Sequence, residues 1–329
     1  MGVPDPRRGG SHSSPWVPDG CPTGGLLYPF GPGAGDEATP HEDDGMSPEI
    51  FLWKTFSFYG QPHHSLYVGP GPHGVEGQRG AVVRVLRVLW VVDTMVGVTM
   101  SWVNNNGVVS FGTGVPEFTP QPFPLPGHRP FVAPYWADVD TRLGGDVFYR
   151  QSQDPELLAR LARDLAPAVT PPDPAPVPTW AFVATWHRVS FFGAASKKVN
   201  TFQAVLATDG VTSFVMLNYG DIQWTTGISN QGDPRTGMGG IPAQAGFNSG
   251  DDVHYYNIPG SRTPAVLSVG RRSNVGVPGR WIFRVDKFTA TEGPPIFMET
   301  PSTPSPPPST PSPAPTPRRT TKERVYICK

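Results

Sequence analysis

Asp138 and Asp140 stand two residues apart in the run Ala133-Pro134-Tyr135-Trp136-Ala137-Asp138-Val139-Asp140. Side chains alternate between the two faces of a strand, so this spacing projects both carboxylates to one side. Such a pair does acid–base work or holds a cation. Calcium takes about six to eight oxygens, so it would need further donors, and the acidic loop carrying Glu42, Asp43 and Asp44 is the evident source. The candidate metal set is therefore Asp138, Asp140, Asp43 and Asp44. Two structural readings compete with it. In one the carboxylates solvate the outer face of a strand whose Trp136 and Val139 fill the core. In the other they accept from Arg142 and from backbone amides at the Leu143-Gly144-Gly145 turn. Catalysis by the pair has the weakest support, because no recognisable nucleophile or general-base motif accompanies it.

The remaining reactive residues are scattered. His63 and His64 are adjacent, so on a strand they face opposite ways and cannot easily share one metal; His41, His187 and His254 stand alone. There is no His-Glu-x-x-His, paired Cys-x-x-Cys, Gly-x-Ser-x-Gly, P-loop or dinucleotide fingerprint. Gly237, Gly239 and Gly240 follow Arg235 and resemble an anion cradle, but no helix follows them, and a tight turn is the commoner use of such glycines. No Asn-x-Ser/Thr sequon and no Arg-Gly-Asp tripeptide occurs. No organic cofactor is implied; calcium is the one ion considered.

Short strands must position these groups. The chain has 329 residues with 42 prolines and 38 glycines, and most of its apolar runs are short and bounded by Gly, Pro or Asn. Residues 50–59, 66–68, 108–111, 131–139, 147–149, 180–192, 201–208, 213–219, 221–224, 245–247, 254–258 and 281–285 read as strands. In the first of these, Phe56 and Phe58 share the buried face. Strands of this number and spacing predict an all-β sandwich or barrel. One segment differs: Leu157, Leu158, Leu161 and Leu165 fall at helical spacing behind Asp154 as N-cap and Pro155 at the first helical position. Among the aromatics, most are expected in the core. Tyr255 and Tyr256 point to opposite faces, which leaves one of them available to a partner.

Lys and Arg number 26 against 27 Asp and Glu, a net charge of −1, so the chain carries no electrostatic footprint for nucleic acid or an anionic membrane. Its two cysteines, Cys21 and Cys328, lie near the ends, outside the strand-rich region. Residues 1–25 read as disordered and hold no apolar stretch fit for a signal-peptide core, and residues 287–329 form a Pro/Ser/Thr-rich disordered tail.

Several phrases in order resemble the nidogen-type extracellular (NIDO) domain: Leu27-Tyr28-Pro29-Phe30-Gly31, Asn104-Asn105-Asn106-Gly107-Val108-Val109-Ser110-Phe111, the Asp138 run above, Asn200-Thr201-Phe202-Gln203, Trp224-Thr225-Thr226-Gly227, Ala243-Gln244-Ala245-Gly246-Phe247-Asn248 and Asn274-Val275-Gly276-Val277-Pro278-Gly279-Arg280-Trp281. That family occurs in nidogens, alpha-tectorin, a membrane mucin and the sushi, nidogen and EGF-like domain proteins. The last group looks nearest, on Gln61-Pro62-His63-His64-Ser65-Leu66-Tyr67-Val68 and Ala184-Thr185-Trp186-His187-Arg188-Val189. The resemblance implies an antiparallel β-sandwich-like domain over residues 26–286, with its core in 131–286 and one short helix. It implies a secreted, non-enzymatic module for extracellular matrix and cell–matrix adhesion, with matrix or cell-surface proteins as partners. The missing signal peptide then reads as an alternative or wrong first exon, or as a fragment that lost it. The alternative from another class is a secreted β-sandwich hydrolase or carbohydrate-binding domain that uses Asp138 and Asp140.

In the family the phrase Leu-Tyr-Val runs directly into Asn-Asn-Asn-Gly, whereas here residues 69–103 intervene. Three readings stand. A membrane span within residues 81–102 is disfavoured by Arg84, Arg87 and Asp93. An extra strand pair suits the β-branched composition but lacks a clean period of two. Translated non-coding sequence, such as a retained intron, is preferred because the flanks rejoin into the family phrase.

Overall fold

The computed structural model describes residues 25–43, 47–68, 105–112, 115 and 117–287. Twelve strands account for most of the regular structure: β1 (Glu37–Ala38), β2 (Ile50–Phe58), β3 (Gln61–Val68), β4 (Val109–Phe111), β5 (Phe131–Trp136), β6 (Asp146–Ser152), β7 (Trp180–Val189), β8 (Asn200–Thr208), β9 (Ser213–Ile222), β10 (Gln244–Asn248), β11 (Tyr255–Asn257) and β12 (Arg280–Arg284). They form two six-stranded sheets of order β1-β6-β7-β8-β9-β12 and β11-β10-β5-β4-β3-β2, and every pairing is antiparallel. The all-β sandwich expected from strand spacing is the observed architecture.

The period of two decides which side chains meet. In β7, Trp180, Phe182, Ala184 and Trp186 turn toward the second sheet, and so do Phe202, Ala204 and Leu206 of β8 and Val215, Leu217 and Tyr219 of β9. There they join Phe56, Phe58, Phe111, Val132 and Phe247. The intervening residues, Ala181, Val183, Val205, Ala207, Phe214 and Met216, form a separate cluster on the outer face with Leu161 and Leu165. A helix must cover that face, because an uncovered apolar sheet face would stay in contact with water.

The helix is α1 (Pro155–Leu165), and it forms as the sequence requires. Asp154 Oδ1 accepts from Leu157 N at 2.8 Å, Pro155 opens the first turn, and Leu161 and Leu165 are buried while Leu157 and Leu158 pack at the margin. The outer face of the second sheet is covered differently, by a loop whose Val115, Phe123 and Leu125 pack on Phe131, Ala133 and Trp136.

Some expected boundaries move. Strand β3 begins at Gln61 rather than at residue 66, and the two strands expected at 213–219 and 221–224 are replaced by one, β9, which ends at Ile222. Strand β5 stops at Trp136 instead of running to residue 139, because the next amides leave the ladder: Ala137 N donates to Asn106 O at 3.1 Å and Val139 N to Asn106 Oδ1 at 2.6 Å. Strand β7 stops at Val189, after the left-handed Arg188 (φ 53°) and a register shift against β8; beyond it Phe191 makes only an isolated bridge to Val139. Strand β1 and the 3-10 helix Pro264–Arg271 are not among the elements expected from the sequence.

Residues 69–103 lie outside the described residues, as do all three readings of them. Among the described residues no helix is long and apolar enough to cross a membrane. Val68 before the segment and Asn105 after it are among the described residues. Val68 at the end of β3 pairs with Val109 at the start of β4. With residues 69–103 removed, residues 104–108 would join that pair as a short hairpin loop, inside the usual range of about two to five residues. The excised chain is therefore expected to melt at or above the Tm of the full chain, and a loss of stability on excision would make the segment structural.

Candidate functional site

The expected carboxylate site sits where β5 has already ended, so Asp138 and Asp140 belong to an irregular segment and not to a strand face. Neither solvates an outer surface: Asp138 is 3% exposed and Asp140 2%. Asp140 is clasped by Arg142, with Nε at 2.9 Å from Oδ1, Nη2 at 2.8 Å from Oδ2, and the Arg142 backbone N–H at 3.0 Å from Oδ1. The turn that follows is held by Leu143 N on Asp140 O and Gly144 N on Thr141 O. The arginine reading thus describes Asp140 alone, and the amides of Leu143 and Gly144 bond backbone carbonyls and neither carboxylate.

Arg142 Nη2 also lies 3.0 Å from Asp43 Oδ2, so the structure does bring Asp43 to Asp140, across a guanidinium. Hydrogen bonding to Asp140 raises the Arg142 pKa above its ordinary value. Asp138 is set apart beneath Gly227, where an added methyl would lie 2.9 Å from its Cβ and Oδ2, and its carbonyl accepts from Phe192 N. Asp44 lies outside the described residues. Among the described residues no cluster of three or more His, Cys, Asp or Glu is arranged to hold a metal ion.

The histidines are dispersed as their spacing implied. His41 Nε2 is 2.9 Å from Asp146, and His254 pairs with Asp251. His63 is packed against Phe111 with ring centroids 4.7 Å apart, and its Nε2 is buried without a hydrogen-bond partner. The glycines after Arg235 make a turn: Gly237 N donates to Asp233 O, and the Gly237 carbonyl accepts from Thr225 N and Thr226 N. A Cβ at Gly240 would lie 1.9 Å from Asn230 O.

The residues of the quoted phrases prove to be fasteners. Asn105 and Asn106 are buried; Asn105 bonds Thr39 Oγ1, Thr141 Oγ1 and the Glu42 carbonyl, and its own carbonyl takes Trp186 Nε1 at 2.8 Å. Gly107 (φ 77°) has no room for a Cβ, which would lie 2.0 Å from Tyr135 O.

Sequence reading missed two surface features. At the β2 end of the second sheet β2 loses register with β3 between Phe51 and Phe56; there Gln151 bonds the backbone, accepting from Trp53 N at 2.9 Å and donating to Phe51 O at 2.8 Å, while the side chains of Phe51 and Trp53 are 70% and 59% exposed. The signal was present, since Phe51 and Trp53 occupy the phase opposite to Phe56 and Phe58. At the other edge, Tyr255 is 42% exposed while Tyr256 stacks on Phe247, which resolves the tyrosine pair. A cleft beside Arg262 is the second feature missed.

Two measurements test this geometry. Arg142 already supplies positive charge between Asp140 and Asp43, so melting curves in calcium and in chelator are expected to superimpose. A calcium-dependent rise in Tm that disappears in Asp140→Asn would restore the metal, because a ligand bound to the folded state raises stability by mass action. The second concerns His63, whose pKa is lowered to about 4 from 6.5, first by burial and then by repulsion from His64. Between these values the unfolded chain holds a proton that the folded chain does not, so stability is complete above pH 6.5 and falls as pH drops toward 4. His187, lowered chiefly by burial, acts in the same direction. His63→Phe keeps the ring packing and should flatten that slope in denaturant titrations; an unchanged slope would place the proton uptake elsewhere.

Comparison with known proteins agrees with the resemblance carried by the quoted phrases. The nidogen-like domain family matches residues 99–287. Alpha-tectorin of Gallus gallus is 42% identical over 262 residues, covering 79% of this chain and 10% of the relative. Alpha-tectorin of Homo sapiens is 41% identical over 263 residues, again 79% of this chain and 10% of the relative. Nidogen-1 of Mus musculus is 27% identical over 292 residues, 84% of this chain and 20% of the relative. The chain thus spans a small part of the curated relatives it matches, and no solved structure matches it. On the family match and on the alpha-tectorin identity, the chain belongs to the nidogen-like domain family.

Proposed function

We propose that this chain is an extracellular matrix interaction module that supports cell–matrix adhesion by protein–protein contact and performs no catalysis. Membership of the nidogen-like family supports an extracellular setting and partners among matrix or cell-surface proteins. The observation that carries the reading is the exposed aromatic pair Phe51 and Trp53 on an edge strand. Large aromatics left outside a core that buries five tryptophans completely are the residue types that anchor interfaces.

The carboxylate alternative draws less support. An enzyme using Asp138 and Asp140 would need both in a cleft with a third polar group converging on substrate. Here Asp140 is engaged by Arg142, and Asp138 is covered by Gly227.

Immobilised chain is expected to capture matrix or cell-surface proteins from a matrix extract. The double substitution Phe51→Ser, Trp53→Ser should weaken capture at least about tenfold, since anchoring aromatics each contribute roughly 2 kcal/mol. Their exposure predicts a stability change within about 0.5 kcal/mol. Turnover of a glycan, ester or peptide by the purified chain, lost in Asp138→Asn or Asp140→Asn, would overturn the proposal.

A further inference from the structure

The β10–β11 end of the second sheet carries a cleft of about 240 Å³ between the Pro122-Phe123 loop and the turn that follows β11. Its walls are Pro122, Phe123, Ile258 and Pro259, and its polar groups include Gln244, Asn257 and Arg262. Arg262 is the one charged residue lining it. Its backbone is left-handed (φ 56°), a conformation costly for a residue with a side chain, and it is fixed there by the bond from Arg262 N to Ala243 O at 2.8 Å. Arg262 Nε is buried without an acceptor, and no carboxylate among the described residues pairs with it. Gln244 and Asn257 are already joined, Nε2 to Oδ1 at 2.5 Å, which fixes the amide beside the guanidinium.

The guanidinium of Arg262 is a charge without a carboxylate partner among the described residues, and a carboxylate is the group whose two oxygens match the paired terminal N–H donors of an arginine. A single cation among neutral and apolar walls does not suit a polysulfated chain, which needs several. The volume falls below the usual range for drug-sized ligands, about 300–1,000 Å³, and fits one side chain with its flanking backbone. Beside the cleft, β11 is the last strand of its sheet, so its outer edge is open to an extended segment. We propose that this cleft receives the carboxylate of an aspartate or glutamate carried by an extended segment of a partner protein lying along β11. The inference concerns the edge opposite to Phe51 and Trp53, so it goes beyond the adhesion reading and fails or stands independently of it.

The test uses the full chain, isotope-labelled for amide correlation spectra, and two blocked tripeptides, acetyl-Gly-Glu-Gly-amide and acetyl-Gly-Gln-Gly-amide. The glutamate peptide is expected to shift the amides of Asn257, Ile258 and residues 260–262 saturably at millimolar concentration, and the glutamine peptide to bind at least about tenfold more weakly, as loss of a charge-assisted pair implies. Arg262→Gln should remove the difference between the peptides, and Arg262→Lys should restore part of it. The comparison of peptides on the unaltered chain stands even if Arg262→Gln misfolds. Equal responses to the two peptides, no saturable response, or a sulfated disaccharide that binds this site more tightly than the glutamate peptide would each overturn the proposal.

Discussion

Buried carboxamides that grip the backbone of crossing segments are the interaction on which the rest of this sandwich depends. Gln203, in the middle of β8, accepts from Tyr28 N at 2.9 Å and donates to Tyr28 O at 3.1 Å, so that its side chain replaces a neighbouring strand for the chain entering the domain. Asn248 does the same for Leu125, taking its N–H at 2.9 Å and reaching its carbonyl at 3.2 Å. Asn200 accepts from Gln223 N and Trp224 N and donates to Trp224 O. Each removes the desolvation cost of loop backbone that has been drawn into a dry interior, a cost of about 1–3 kcal/mol for every group left unpaired.

These contacts explain why the loops can serve as packing material. The segment held by Asn248 is the one that lays Phe123 and Leu125 over the outer face of the second sheet. Tyr28, held by Gln203, joins α1 in covering the outer face of the first, and its hydroxyl donates to Asp164 of that helix at 2.7 Å. Arg280 closes the same corner, with Asp164 at 2.9 Å, Asn218 Oδ1 at 3.0 Å and the Leu26 carbonyl at 2.8 Å. A buried ion pair is sustainable here because the guanidinium's other donors also find oxygens.

The regular part of the fold was legible because its signals are local. Strand alternation, the Asp154-Pro155 helix start and the leucine spacing of α1 all act within a few residues, and the structure follows them. What could not be read locally was set by distant partners. Asp138 and Asp140 look like a strand pair until Asn106 takes the amides of Ala137 and Val139 and ends β5. The role of Arg142 between Asp140 and Asp43 depends on a loop nearly a hundred positions earlier in the chain. The Arg262 cleft has no sequence signature, since its walls come from three separate segments.

This division also constrains where recognition can reside. Residues whose polar atoms are already spent on internal backbone, such as Asn105, Asn200, Gln203 and Asn248, have little left to offer a ligand, and their burial removes them from reach. The family resemblance is densest at those positions, so it identifies the scaffold more strongly than it identifies the partner. Groups with unspent capacity lie at the two end strands of the second sheet, in the exposed β2 aromatics and beside β11. The outer faces of both sheets are covered, the first by α1 and the entering chain and the second by the loop of Phe123 and Leu125. The proposed contacts therefore fall at the margins of the second sheet, and the core drawn from both sheets holds those margins in place.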